Sequence, residues 1–242
     1  LIQECNFDYI LIENVPRFLG LVLPYKDKAL SPIEILNLEL GLKYHIKHNI
    51  FDSSDFGVPQ SRKRAIIRIF KKTLSWEEPA KYEKITLRQA IGHLPSLEAG
   101  ESSNIKWHYA RMHTKNHIEC MKHTPTGKSA FKNEIHFPKS VNGNRPKGFA
   151  STYARLNWDI PCPTITMRND AISSQRNVHP GIKLDDGTYS DARVLTIKEL
   201  FLLTGLGEDF DLPSNTPETL IRQVIGESVP PKLIYEICKM IK

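Results

Sequence analysis

Two short apolar runs set the strongest limit on what this chain can fold into. "FDYILI" (Phe7 to Ile12) and "RAIIRIF" (Arg64 to Phe70) are rich in β-branched and aromatic residues. They carry little of the polar alternation of a solvent-facing strand, so both read as strands of a covered sheet. Between them, "SPIEILNLELG" opens with Ser31 and Pro32, a good N-cap and first-turn pair. It closes at Gly41, which predicts a helix. "YHIKHNIF" (Tyr44 to Phe51) then reads as a third strand, and "DSSDFGVPQSRKR" as loop. Strand, helix, strand, strand is half of an α/β domain.

Beyond Lys71 the pattern weakens into Pro, Gly, Asn, His and Lys with short elements such as "TLRQAIGHL". Periodicity returns in "TIKELFLLTGL" (Thr196 to Leu206), capped by Thr196, and in "LIYEICKMI" (Leu233 to Ile241) after Pro230 and Pro231. The expected organisation is an α/β part over residues 1–70, a loop-rich insert over 71–180, and a return to the first domain over 181–242. The net charge is +6. Residues 71–152 hold 14 Lys and Arg against 7 Asp and Glu, and six of the nine histidines. A basic block on an otherwise neutral scaffold points to a polyanion partner or, equally simply, to a solvated basic face.

No apolar run approaches the length of a membrane span, and no secretory leader is visible in a chain that starts at Leu1 rather than Met. Cys5, Cys120, Cys162 and Cys238 lie far apart with no paired spacing, which fits a reducing cytoplasm. The chemistry-bearing stretches are "ENV" (Glu13 to Val15) at the end of the first strand, "QSRKR" (Gln60 to Arg64) entering another, and "IRQVIGESVPPKL" (Ile221 to Leu233). A carboxylate at the end of an apolar strand can hold or share a proton. Arginines at i and i+2 on a strand share a face with Gln60 and can steady developing negative charge. Taken singly, each stretch is equally well a structural Glu–Arg pair.

Taken together and in this order, these segments resemble the C-terminal part of the DNA (cytosine-5) methyltransferases. "FDYILIENV" is similar to the family's glutamate motif, "DFGVPQSRKRAIIRIF" to its QxRxR motif, and "RVLTIKELFLLTGLGEDF" to the segment packed under the recognition domain. "ITLRQAIGHLP" and "YARLNWDIPCPTIT" are family-like stretches of the insert. The last stretch resembles the family's final motif. The resemblance implies the C-terminal part of a Rossmann-like methyltransferase sheet carrying an inserted target-recognition domain. It implies transfer of a methyl group from S-adenosylmethionine to carbon 5 of a flipped cytosine, in a bacterial restriction-modification setting. Glu13, Arg62 and Arg64 become the catalytic set, with Arg64 near the base. Asn14, Val15 and Gln60 support it. Ser228, Val229 and Glu227 fall at the cofactor, although the family usually has Asn where Glu227 stands. Arg155, Thr164 and Arg168 are candidates for reading double-stranded DNA.

The family's nucleophilic Pro-Cys loop and glycine-rich cofactor turn precede the glutamate motif and are not in this chain. An N-terminal half or subunit is therefore the expected partner, and the chain alone is expected to be inactive. Cys162 follows Pro161 but lies in the recognition segment, where a buried structural thiol is expected. His108, His113, His117, Cys120 and His123 cluster without a matching second ligand pair, so no metal is assigned. Trp107 and Tyr109 read as core. The alternative reading is a DNA-binding module that has lost catalysis, and the target sequence is not legible.

Overall fold

A computed structural model describes residues 2–140, 142–146, 148, 150–207, 210, 212–213 and 215–242, with the side chain of Gln3 excepted. Val141, Lys147 and Phe149 of the basic insert, and Glu208 and Asp209 of the family-like stretch 193–210, lie outside the described residues. In chain order the elements are α1 (Ile2–Cys5), β1 (Tyr9–Asn14), β2 (Leu23–Tyr25), β3 (Lys28–Leu30), α2 (Pro32–Leu40), β4 (Tyr44–Asp52) and β5 (Lys63–Lys71). There follow α3 (Leu87–Ile91), α4 (Lys115–Lys122), α5 (Ile197–Thr204), α6 (Glu218–Glu227) and α7 (Pro231–Cys238). The expected strands and the helix starting after Ser31 are present. Among the described residues no helix is long and apolar enough to cross a membrane.

The chain divides into two compact units. The first comprises residues 1–57, 62–83 and 232–242, and the second 58–61 and 84–231. The boundaries expected at 70 and 180 are thus displaced. Residues 181–231 stay with the insert, because α5 and α6 share a core with α3. Only the last helix returns, where the Trp76 indole donates to the Ile237 carbonyl at 2.8 Å and the Tyr82 hydroxyl to Glu236 at 2.9 Å.

The first unit holds an antiparallel sheet in the order β1-β5-β4. β5 is central, with Ile66, Ile67, Ile69 and Phe70 buried, each contributing about 1.5–3 kcal/mol of burial. β1 lies at the end of this sheet, with all six residues only partly covered. One face carries Ile67 and Ile69 against Leu40 and Tyr44, with Ile33 and Leu36 of α2 packed on them. The other carries Tyr9 and Phe70 edge-on against Trp76. α2 starts in a capping box, Ser31 with Glu34, as its sequence predicts. Gly57 takes φ +71°, a left-handed conformation that other residues rarely adopt, so the turn before the QxRxR stretch favours glycine.

The second unit contains few regular elements. Its larger core joins Leu87 and Ile91 of α3, Leu200 and Phe201 of α5, and Ile221 and Ile225 of α6, around Leu156, Cys162 and Ile165. Trp107 and Tyr109 pack against it, as expected of core residues. A smaller core collects Cys120 and Met121 of α4 with Ile172, Val178 and Val194.

Candidate active site

β1 delivers Glu13 opposite Ile66 of β5, which leaves Arg64, two residues earlier on β5, diagonal to it on the same face. The Arg64 Nε lies 2.7 Å from Glu13 Oε1. The two side chains keep 13% and 26% of their exposure, so the pair is sheltered but reachable. Arg64 also donates from Nη1 to the Lys63 carbonyl, which fixes the plane of the guanidinium. Arg62 is buried, and its guanidinium pKa is pushed down to about 10, first by burial and then by the Arg64 cation, with Glu13 opposing. It stays charged at neutral pH. Asn14 turns back to accept the Val15 N–H at 2.8 Å, and Val15 is 49% exposed.

The expected shared face of Gln60, Arg62 and Arg64 is not found. β5 begins only at Lys63, and the Arg62 N–H is taken by Asp52 Oδ1 and Ser53 Oγ, both at 3.1 Å. Gln60 belongs to the second unit, where its Oε1 accepts the Ile165 N–H at 3.2 Å. The neighbouring Ser61 N–H donates to the Cys162 carbonyl, and the Thr164 hydroxyl donates to the Ser61 carbonyl. Gln60 thus anchors the 162–165 segment. Cys162 is fully buried and its thiol is pushed well above the ordinary range by burial, which suits packing and not nucleophilic attack.

The final motif lies at the C-terminal end of α6. A Cβ on Gly226 would come within 2.5 Å of the Thr166 carbonyl and the Met167 nitrogen, so only glycine lets α6 lie against that loop. Arg222, buried on α6, donates to the Asn169 and Leu195 carbonyls, and Asn169 donates to the Thr166 and Arg222 carbonyls. The loop is held rigidly from behind while Met167 and Arg168 stay exposed. Two open grooves, of about 300 and 500 Å³, flank these two residues. Ser228 donates its hydroxyl hydrogen to the Ile225 carbonyl at 2.8 Å, and Glu227 accepts from Gln223. With that proton turned to Ile225, the Ser228 hydroxyl oxygen keeps lone pairs to accept from a further donor.

Residues 1–242, the whole chain, match the family of C-5 cytosine-specific DNA methylases. The chain belongs to that family. It is 57% identical over 242 residues to the type II methyltransferase M1.HgaI of Avibacterium volantium, covering all of this chain and 68% of that protein. It is 32% identical over 237 residues to M1.HphI of Haemophilus parahaemolyticus, covering 96% of this chain but only 56% of that relative. Among solved structures, a prophage-encoded DNA modification methyltransferase of E. coli matches with a TM-score of 0.66 at 20% identity, over 99% of this chain and 70% of that one. That likeness shows the α/β methyltransferase fold.

Within this methylase chain, one expected DNA-reading residue is corrected. Arg155 is buried, and its guanidinium donates to the carbonyls of Met121, His179, Asp191 and Tyr189. These backbone carbonyls, one at the end of α4 and three in loops, claim it, so it is an internal strut. Thr164 is exposed with its proton committed to Ser61, and Arg168 is exposed. The histidine cluster also disperses. His108 bridges Thr196 and the Pro95 carbonyl, His113 accepts the Val194 N–H, and His117 meets the Tyr153 hydroxyl. The sequence reading missed Asn169 and Arg222. It also missed the buried Arg193, which pairs with Asp191 and Glu199 at 2.9 Å. The Thr196 to Glu199 capping box was the available signal for that last site.

Proposed function

We propose that this chain is the base-holding and target-reading part of a DNA (cytosine-5) methyltransferase of a bacterial restriction-modification system. An N-terminal segment, in the same or a separate polypeptide, supplies the Pro-Cys nucleophile and most of the S-adenosylmethionine site. The observation that carries this reading is the Glu13–Arg64 pair at the end of β1, with Arg62 buried beside it. A cytosine flipped from the duplex presents its N3 and O2 edge to this pair. Glu13 shares a proton with N3, and Arg64 orients the carboxylate and offsets negative charge on the ring while carbon 6 bears the thiolate. Arg62 supports Arg64, and Gln60 anchors the recognition segment. S-adenosylmethionine supplies the methyl group when bound. Ser228 accepts from the cofactor's amino-acid end, Glu227 adds negative charge beside it, and Val229 lines the same turn. Arg168, with Thr164 beside its loop, reads DNA, and the lysines and arginines of residues 71–152 set affinity through phosphates. The one-sided pairing of β1 and its partly covered residues support a partner on that edge.

The test is transfer of labelled methyl groups to duplex DNA by the assembled enzyme and by Glu13→Gln. We expect Glu13→Gln to lose about 100- to 10,000-fold in single-turnover rate with duplex affinity unchanged. An unchanged rate removes Glu13 from the mechanism. Specific duplex binding with no transfer in any assembly identifies a DNA-binding module instead.

A further inference from the structure

Three side chains of the second unit that belong to neither candidate site converge in a way that no part of the methylation chemistry uses. Glu119 on α4 and His123, the residue capping that helix, are one turn apart on the same face. His136 arrives from the following loop. His123 Nε2 lies 3.0 Å and His136 Nδ1 3.6 Å from the same oxygen, Glu119 Oε1, and the potential ligand atoms of all three lie within 4.8 Å of one another. A tetrahedral ion held at about 2.0–2.1 Å sets its ligands about 3.3 Å apart, and the two measured edges bracket that figure. The three side chains keep 50%, 36% and 35% of their exposure, which leaves room for an ion to enter and retain water.

The base beneath the cluster is fixed. Asn133 Nδ2 lies 2.7 Å from the His136 carbonyl, 3.2 Å from the Cys120 carbonyl and 3.0 Å from Thr124 Oγ1, and so ties the loop to the end of α4. Cys120, Met121 and Thr124 are buried. The two imidazoles stack at 3.8 Å with planes 12° apart. Lone pairs in parallel planes do not meet, so binding requires one ring to turn. Both rings are partly exposed and not packed into the core, so that rotation meets little resistance.

We propose that Glu119, His123 and His136 form a binding site for a divalent transition cation of the zinc class, with solvent completing the coordination. Two imidazoles and a carboxylate select such an ion over magnesium or calcium, which prefer all-oxygen shells. Bound there, the ion fastens residues 133–136 to the C-terminal end of α4 within the basic insert.

The test is calorimetric titration of Zn²⁺ into the purified full-length protein after dialysis against chelator, with Mg²⁺ titrated in parallel and Co²⁺ absorption reporting nitrogen and oxygen ligation. We expect one equivalent of Zn²⁺, no Mg²⁺ heat at the same concentration, and a loss in affinity of more than about 100-fold in His123→Ala and in His136→Ala, beyond what loss of an outer partner brings. Glu119→Gln weakens binding as well. Metal-free melting of all three variants should match that of the native protein, and His123→Gln serves as a second probe if an alanine variant melts early. Absence of a Zn²⁺ equivalent, or native binding in the histidine variants, overturns the proposal.

Discussion

The two units of this chain solve the same problem, how to bury backbone, by different means. In the first, β5 lies between β1 and β4, its peptide groups are paired in ladders, and its buried side chains are apolar except for Arg68, which donates to the Glu77 carbonyl. In the second, long stretches have no ladder, and buried guanidinium groups take over. Arg155 reaches four carbonyls, one in α4 and three in loops, Arg193 reaches the Leu97 and Val194 carbonyls as well as two carboxylates, and Arg222 reaches two more carbonyls. Five donors in a fixed fork make arginine suited to this role. The difference teaches that a loop-rich unit can be as firmly held as a sheet, and that its positive charge is not all available to DNA.

That comparison predicts a ranking of losses. Arg193→Leu leaves Asp191 and Glu199 buried without their cation and should cost about 3–5 kcal/mol in denaturant unfolding of the full-length protein. Ile67→Ala opens a cavity beneath the central strand and should cost about 2–5 kcal/mol. A clearly larger loss for Ile67→Ala would break the claim that guanidinium struts carry the second unit.

Acid sharpens the contrast. His179 accepts the Gly181 N–H at Nδ1, and its pKa is pulled down to about 4, first by burial and then by Arg193. Between the ordinary imidazole value of about 6.5 and that lowered value the unfolded chain binds more protons. Stability therefore falls as pH falls through this window, by up to about 1.4 kcal/mol per pH unit. Burial pushes Asp191 and Glu199 up, but His179 and Arg193 hold each of them at about 2, so a second loss follows as pH drops from about 4 towards 2. Hydrogen exchange at pH 7 and pH 5 should show early opening in the second unit, and His179→Gln should shrink the first window, part of which belongs to His113, which burial and then Arg111 lower to about 4 as well. The histidines of β4, His45 and His48, are exposed, and equal opening of both units would contradict the assignment.

The smallest effects compare two capping boxes. Ser31→Ala removes a solvent-facing cap and should cost about 1 kcal/mol. Thr196→Ala removes a buried cap that also bonds His108, and should cost measurably more in the same unfolding assay. Equal losses would mean that burial adds nothing to the second cap.

Much of the first unit was legible because its signals are local. Ser31 with Glu34, Gly41, and the apolar runs of β1 and β5 each specify an element within a few residues. Glu13 was legible for the same reason, as a carboxylate ending an apolar strand. Arg64 lies on β5 and pairs with Glu13, but Gln60 does not share its face, because strand parity was extended past the start of β5 into a segment with its own partners. Arg155 was misread because an arginine beside a basic insert looks the same in sequence whether it faces phosphates or four carbonyls.

The sequence by itself determined the family, the α/β class, the capped helices and the strand-end position of Glu13, since each depends on neighbours in the chain or on motifs in a fixed order. Tertiary structure alone decided that residues 181–231 stay with the insert, that Arg155, Arg193 and Arg222 point inward, and that His136 meets Glu119 and His123. These outcomes depend on pairings such as Arg155 with Tyr189, or Arg222 with Asn169. A buried carbonyl accepts from whichever donor the completed fold brings near, and no local spacing encodes which one arrives.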